Sequence, residues 1–436
     1  MRQYVLCLGL SLLLFYPNLS TAQASMYFPP AVGLWETLSP DSLNWHTDSL
    51  SALQQYLEDT HTKAFIILKD GRMVCEWYYD SFTKDSVWFW ASAGKTMTAT
   101  LVGIAQQEGF LSIDSSSANY LGAGWTSCSS PEESAITVKH QLSMTAGLNE
   151  QGYRWDCTDD TCLQCEVAPG SRWFYHNAPY TLLTDVVEGA TGRNINQYFL
   201  TRIGTRIGMN GAYVRLGYNR IFFSQPRSMA RFGLLMLNRG VWNGTPILSD
   251  SSYHRAMTSP SQSFNPAYGY LWWLNGQQEF MLPSTRQVFS GEIIPNAPDD
   301  MVAALGAQDQ KIYVVPSQGL VVIRMGRAGV SSQLSLSNYD DVIWGKISRL
   351  TASNTTRVVD HSPTNFQLFP NPAKDELNYV GPGNLVSFKL YTLPGELISH
   401  THTTKLSLQG VSPGTYLVVL DTGNGREHRE LIHVSP

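Results

Sequence analysis

A polar stretch at residues 351–364, ending in Ser362-Pro363-Thr364, divides this chain into two parts with different hydrophobic rhythms. Before it, long helical periods alternate with apolar strands. After it come only short β-rich or alternating runs, at 366–369, 376–380, 386–390, 397–399, 405–408, 415–420 and 430–434. Pro-Gly, Gly-Pro and Gly-Asn-Gly turns separate them, which is the texture of a small sandwich of antiparallel strands. The spacing therefore predicts a larger mixed domain over 25–350, a linker over 351–364 and an all-β sandwich over 365–436.

Within the first part, Asp48 precedes a helical pattern at 49–58, with Leu50, Leu53 and Leu57 on one face. Two apolar runs, 64–68 and 73–79, flank Asp70-Gly71, the strongest short-range signal for a β-hairpin. A helical pattern at 92–108 is closed by Gly109. Ser224 is expected to cap another, at 225–239, with Pro226 in its first turn, where a missing N–H costs nothing. Strands are predicted at 312–315 and 322–324, and Ser337 caps a last helix carrying Ile343, Trp344, Ile347 and Leu350. This order predicts an α+β sandwich: an antiparallel sheet flanked by the N- and C-terminal helices, plus a mostly helical region, with an active site between them.

Hydrophobic content of 43% and charged content of 15% are those of a chain with a large core. A formal net charge of -5 argues against nucleic acid as a partner. Arg2, the apolar run at 5–16 and the small residues at 20–24 predict a signal peptide over 1–22, the run being too short to span a bilayer. Its removal leaves five of the six cysteines: Cys75, Cys128, Cys157, Cys162 and Cys165. Export permits disulfides. A zinc site in the 157–165 cluster lacks a fourth ligand nearby other than His176, so a disulfide pinning this loop is expected, with Cys157 and Cys162 as one candidate pair and the pairing left open by the sequence, and with no metal and no cofactor. The odd count leaves at least one thiol unpaired.

Ser92-Ala93-Gly94-Lys95 carries the chemistry. At the start of a helix, Ser92 and Lys95 share one face and come within reach of each other. A buried Lys loses its proton easily and can then accept one from Ser. Ser81-Phe82-Thr83-Lys84 has the same spacing, but a polar turn with Asp85 and Ser86 follows it, so it reads as a solvated loop. Ser92 is followed by Met97, Leu101, Ile104 and Ala105 at helical period. Further on, Tyr175-His176-Asn177 offers a phenol that can relay a proton and an amide that can fix Lys95 or a substrate carbonyl. Ala304-Leu305-Gly306-Ala307 precedes a strand, and a backbone N–H there can join that of Ser92 in an oxyanion hole. The chain has no G-x-S-x-G elbow, no H-E-x-x-H and no phosphate-binding P-loop.

Taken together, in this order, these stretches resemble the serine β-lactamase and penicillin-binding-protein superfamily, most closely its class C-like branch of cephalosporinases, D-Ala-D-Ala carboxypeptidases, esterases and oligomer amidases. The resemblance extends to 136–148, 169–177 and 228–233. It implies an acyl-enzyme on Ser92, Lys95 and Tyr175 as bases, Asn177, Gly306 and Ala307 around the substrate, and the amides of Ser92 and Ala307 as the oxyanion hole. Where relatives carry Lys-Thr-Gly or His-x-Gly, this chain has Ala304-Leu305-Gly306. The missing cation points away from β-lactams and toward a small-molecule ester or amide substrate. A D-Ala-D-Ala carboxypeptidase or β-lactamase, or a non-catalytic binding protein, are the competing readings. The tail, with Pro370-Asn371-Pro372, Gly414-Thr415-Tyr416-Leu417 and the closing Leu431-Ile432-His433-Val434, resembles a type IX secretion sorting domain. That implies the type IX machinery as a partner and a secreted or cell-surface protein.

Overall fold

The computed structural model describes residues 26–150, 155–329, 336–352, 367–381, 387–392, 396–421 and 427–435. The expected signal peptide and nearly all of the expected linker lie outside the described residues. The chain divides into two compact units, Met1–Asn354 and Thr355–Pro436.

The first unit is built on a six-stranded antiparallel sheet. Helix α1 (Leu50–Asp59) leads into β1 (Thr62–Lys69) and β2 (Arg72–Tyr78). The turn between them has Asp70 at φ 49° and Gly71 at φ 83°. Positive φ at both central residues is the hairpin turn whose twist matches that of the strands, and Asp-Gly is the pair that adopts it readily. A short strand β3 (Trp88–Phe89) and helix α2 (Lys95–Gln107) follow. A hairpin of β4 (Ala212–Leu216) and β5 (Asn219–Ser224) then forms a second small sheet with β3, in the order β3-β5-β4. Helix α3 (Pro226–Leu237) precedes β6 (Trp273–Leu274), β7 (Val302–Gly306), β8 (Gln310–Val315) and β9 (Leu320–Gly326), and α4 (Asn338–Thr351) closes the unit. The main sheet runs β2-β1-β9-β8-β7-β6.

All six residues of β8 are buried, because helices cover both faces of the sheet. Neighbouring residues of a strand point to opposite faces. Tyr313 meets Trp344 of α4 at 5.4 Å between ring centroids, and α3 packs on the sheet through β1, β8 and β9. Helix α2 is buried along nearly its whole length, from Lys95 to Ala105, as suits a helix enclosed on all sides. The predicted face residues Ile343, Trp344, Ile347 and Leu350 of α4 are all fully buried. Ser337 and Asp340 form the capping box at its start, and Asp340 also accepts from Tyr313 Oη (2.7 Å) and Lys311 Nζ (2.9 Å). Lys311 lies 3.2 Å from Asp309 as well, so a fully buried ion cluster ties β8 to α4.

Two local expectations are corrected. The N-cap of α3 is Gln225, not Ser224, because Ser224 ends β5 and its hydroxyl accepts from Trp90 Nε1 (2.8 Å). Ser92 lies in a 3-10 turn, Ala91–Gly94, and α2 itself begins at Lys95. The region between α2 and α3 is mostly helical, as expected, and also contains the β4–β5 hairpin.

Cys157 and Cys162 are bonded to each other, and Cys128 is bonded to Cys165. Among the described residues Cys75 is the free thiol, buried in β2, where burial pushes its pKa up to about 12 and disfavours the reactive thiolate.

Among its described residues the second unit holds seven strands: β10 (Gln367–Phe369), β11 (Glu376–Val380), β12 (Ser387–Thr392), β13 (Leu397–Thr401), β14 (Lys405–Ser407), β15 (Gly414–Asp421) and β16 (Glu427–Val434). They form two sheets, β10-β11-β14 and β13-β12-β15-β16. Leu377 and Leu406 from one sheet and Phe388, Leu390, Val418 and Leu420 from the other close a single core.

Candidate active site

The turn at Ala91–Gly94 is fixed from two sides. Trp90 N donates to Phe222 O of β5 at 2.8 Å, and the Trp90 ring packs edge-on against Phe222 and tilted against Phe232. Ala91 takes φ 47°, the left-handed region that costs a residue with a side chain about 1–3 kcal/mol. Such strain is held only where the surroundings overdetermine it, and here it sets the entry to the turn that carries Ser92.

Lys95, one turn on, is 2% exposed. Its Nζ lies 2.9 Å from Ser92 Oγ and 2.7 Å from Asn177 Oδ1. The rings of Tyr180 and Tyr175 enclose it, at 4.1 Å and 5.0 Å from Nζ to the centroids. No carboxylate pairs with it among the described residues. Burial therefore pushes its pKa well below the ordinary lysine value, toward the neutral amine. Tyr175 is buttressed from behind by Trp273, stacked at 6.0 Å, and Tyr268, edge-on at 6.2 Å. His176 between them in sequence is buried, and desolvation, aided by the Arg172 charge, lowers its pKa to about 4, so it is neutral at physiological pH.

Strand β7 ends against the same turn. A Cβ on Gly306 would lie 2.4 Å from Trp90 O and 2.9 Å from Ala93 N, so only glycine lets the strand approach so closely. Ala307, next along, lines a pocket of about 160 Å³ with Ser92, Lys95, Asn177, Tyr180 and Trp155. The structure thus brings Ser92, Lys95, Tyr175, Asn177, Gly306 and Ala307 together. Ala304 is buried in β7 and supplies no cation. Arg220 lines the pocket, but its guanidinium is held by Asp185 (2.5 Å) and Glu188 (2.9 Å). Ser81 and Lys84, with the same spacing as Ser92 and Lys95, lie in the exposed loop expected for them, where Lys84 pairs with Asp85 at 2.6 Å.

Four further residues of the site had no clear signal in the sequence. Tyr180 sits three positions after Asn177 on the short helix Asn177–Thr181, and that helical spacing could have found it. Asn219, at the start of β5, accepts from Asn177 Nδ2 and donates to Asp156 Oδ2 at 2.9 Å. Asp156 and the exposed Trp155 sit beside the Cys157–Cys162 bridge. No three His, Cys, Asp or Glu side chains converge to hold a metal ion among the described residues.

The model of the β-lactamase family matches residues 51–333, which contain every residue of this site, and that of the secretion-system C-terminal sorting domain matches 367–434. An uncharacterized protein of Alkalihalophilus pseudofirmus is 24% identical over 305 residues, 62% of this chain and 84% of that one. Among solved structures, a Bacillus anthracis protein provisionally described as a 6-aminohexanoate-dimer hydrolase is 18% identical, with a TM-score of 0.56 over 74% of this chain and 88% of that one. A Bacteroides dorei protein provisionally described as a β-lactamase gives 0.55 at 16% identity, over 70% and 99%. A penicillin-binding-protein homologue from Caulobacter crescentus gives 0.52 at 14%, over 70% and 98%. At such identities these likenesses speak for the fold alone. The sorting domain indicates export through type IX secretion. Since its matching model spans the greater part of the chain, the protein belongs to the β-lactamase family.

Proposed function

We propose that this protein is an exported serine hydrolase that forms an acyl-enzyme on Ser92 and acts on a small ester or amide. The observation that carries the reading is Lys95: an amine buried without a carboxylate partner among the described residues, 2.9 Å from a serine hydroxyl. Burial favours its neutral form, and a neutral amine at that distance can take the Ser92 proton as Oγ attacks the substrate carbonyl carbon. The tetrahedral oxyanion would be held by the backbone amides of Ser92 and Ala307. Collapse breaks the ester C–O or amide C–N bond, and Lys95 or Tyr175 returns the proton to the leaving group. Water then attacks the acyl-enzyme and gives its proton to the same amine, freeing the acid and restoring Ser92.

Two observations favour an ester or amide over a β-lactam. Ala304 offers nothing to a substrate carboxylate, and the Arg220 guanidinium is already neutralised by two carboxylates. The Bacillus anthracis neighbour, provisionally described as a 6-aminohexanoate-dimer hydrolase, is compatible with the same reading. The tail supports secretion to the surface or medium, with the sandwich as the sorting signal. The test compares p-nitrophenyl acetate, nitrocefin and a D-Ala-D-Ala peptide on the purified protein. Ester turnover well above nitrocefin turnover is expected; nitrocefin turnover equal to the ester would overturn the reading of Ala304.

A further inference from the structure

We propose that Asp156 and Asn219 are positioning residues that decide which end of the Asn177 amide faces Lys95. The proposal rests on the serine-hydrolase reading above. It follows from the direction of a hydrogen-bond chain. Lys95 Nζ donates to Asn177 Oδ1 (2.7 Å), Asn177 Nδ2 donates to Asn219 Oδ1, and Asn219 Nδ2 donates to Asp156 Oδ2 (2.9 Å). An amide can present either its oxygen or its NH2, and only its partners choose between them. An ionised carboxylate accepts and never donates. Asp156 therefore fixes the Asn219 amide, and Asn219 fixes Asn177 with its oxygen toward Lys95.

That orientation matters for the chemistry. With Asn177 Oδ1 accepting an N–H of Lys95, the lone pair of the neutral amine stays free for the Ser92 proton. A flipped Asn177 would present its NH2 instead. It would occupy that lone pair and repel the ammonium form. Among the described residues, the rings of Tyr175 and Tyr180 and the Ser92 hydroxyl also lie around Lys95, and none of these replaces Asn177 Oδ1 as a carbonyl acceptor. Arg220 lines the same pocket but is engaged by Asp185 and Glu188.

The loop that carries Asp156 is pinned at both ends of its contact. The Cys157–Cys162 disulfide closes it, and Tyr218 Oη donates to Asp159 Oδ2 at 2.5 Å, beside Asn219 on the hairpin. Asp156 is 8% exposed, so its carboxylate is held at the chain's end instead of swinging in solvent.

The test measures the rate of fluorophosphonate labelling of Ser92 against pH on the full exported chain. In this reaction the Ser92 oxygen forms a bond to phosphorus, fluoride leaves and Lys95 takes the proton. Asp156→Asn keeps size and hydrogen-bonding capacity but loses the fixed polarity. Its plateau rate should fall roughly tenfold, the scale of one lost hydrogen bond. Its acid limb should shift to lower pH, because a flipped amide disfavours the ammonium. Adding Asn219→Asp places an acceptor-only group directly on Asn177 Nδ2. The double variant should regain rate over Asp156→Asn, and its limb should move back up. An Asp156→Asn protein with wild-type rate and limb, or a double variant no faster than the single, would overturn the proposal. Failure of wild-type Ser92 to label at all would remove the serine-hydrolase reading beneath it.

Discussion

Gly306 gives the sharpest perturbation of the site short of its reacting groups. In Gly306→Ala the new methyl would stand 2.4 Å from Trp90 O and 2.9 Å from Ala93 N. Both atoms are backbone, so no side chain can swing aside. Relieving the shorter contact to 3.0 Å needs an opening of roughly 0.6 Å between β7 and the Ser92 turn. Overpacking of this kind costs about 1–3 kcal/mol of stability. The larger effect is on catalysis, since the same opening separates the Ala307 amide from that of Ser92. A misplacement near 1 Å costs about 10²-fold in rate, so a shift of this size should lower kcat/KM by roughly 10- to 10²-fold. Most of the loss should fall on kcat, because the oxyanion forms only as the reaction proceeds. The assay is ester hydrolysis under saturating and limiting substrate, with thermal melting alongside. A Gly306→Ala protein that folds and keeps wild-type kcat/KM would refute the placing of the oxyanion hole at this strand end.

Further outcomes follow from buried charge. Lys95 has a folded pKa below its unfolded value, so kcat/KM should be fully present above the folded pKa and lost as pH falls through it. Lys95→Arg should be inactive at every accessible pH, because a guanidinium keeps its proton. Between the folded pKa and the ordinary lysine value the unfolded chain holds one more proton, so stability should rise with pH across that window, and Lys95→Met should flatten the rise in a pH series of melts. Asp340→Ala removes one of the two carboxylates on Lys311 and the acceptor of the Tyr313 hydroxyl in a fully buried cluster, leaving Asp309 on Lys311, and should cost about 1–3 kcal/mol by denaturant unfolding, against at most about 1 kcal/mol for the exposed Lys84–Asp85 pair.

The parts of the fold and site that were legible in the sequence are those set by neighbours along the chain. Asp70-Gly71 specified its hairpin because the turn's dihedrals restrict its residues. The Ser92–Lys95 spacing specified proximity because one helical turn joins them, and the buried face of α4 followed from Ile343, Trp344, Ile347 and Leu350 at helical period. What was not legible depends on distant partners. The 3-10 turn at Ser92 comes from β5 and the Trp90 ring, not from local propensity. The pairing of Cys128 with Cys165 and the chain through Asn219 to Asp156 join segments far apart in sequence. Nothing along the chain marks Lys311 and Asp340 as buried, since their burial is decided by the packing of α4 on β8. Ala304 shows the reverse case, where an absent side chain was informative because its register was fixed by Gly306.

The central claim is that Ser92 is the nucleophile and Lys95 its base. The most direct measurement is peptide mapping after fluorophosphonate treatment of the wild-type, Ser92→Ala and Lys95→Met proteins. A single adduct on the peptide containing Ser92 is expected, with none in Ser92→Ala and labelling slowed by at least about 10²-fold in Lys95→Met, the scale of general-base assistance. An adduct on any other serine, Ser81 included, that persists in Ser92→Ala would contradict it.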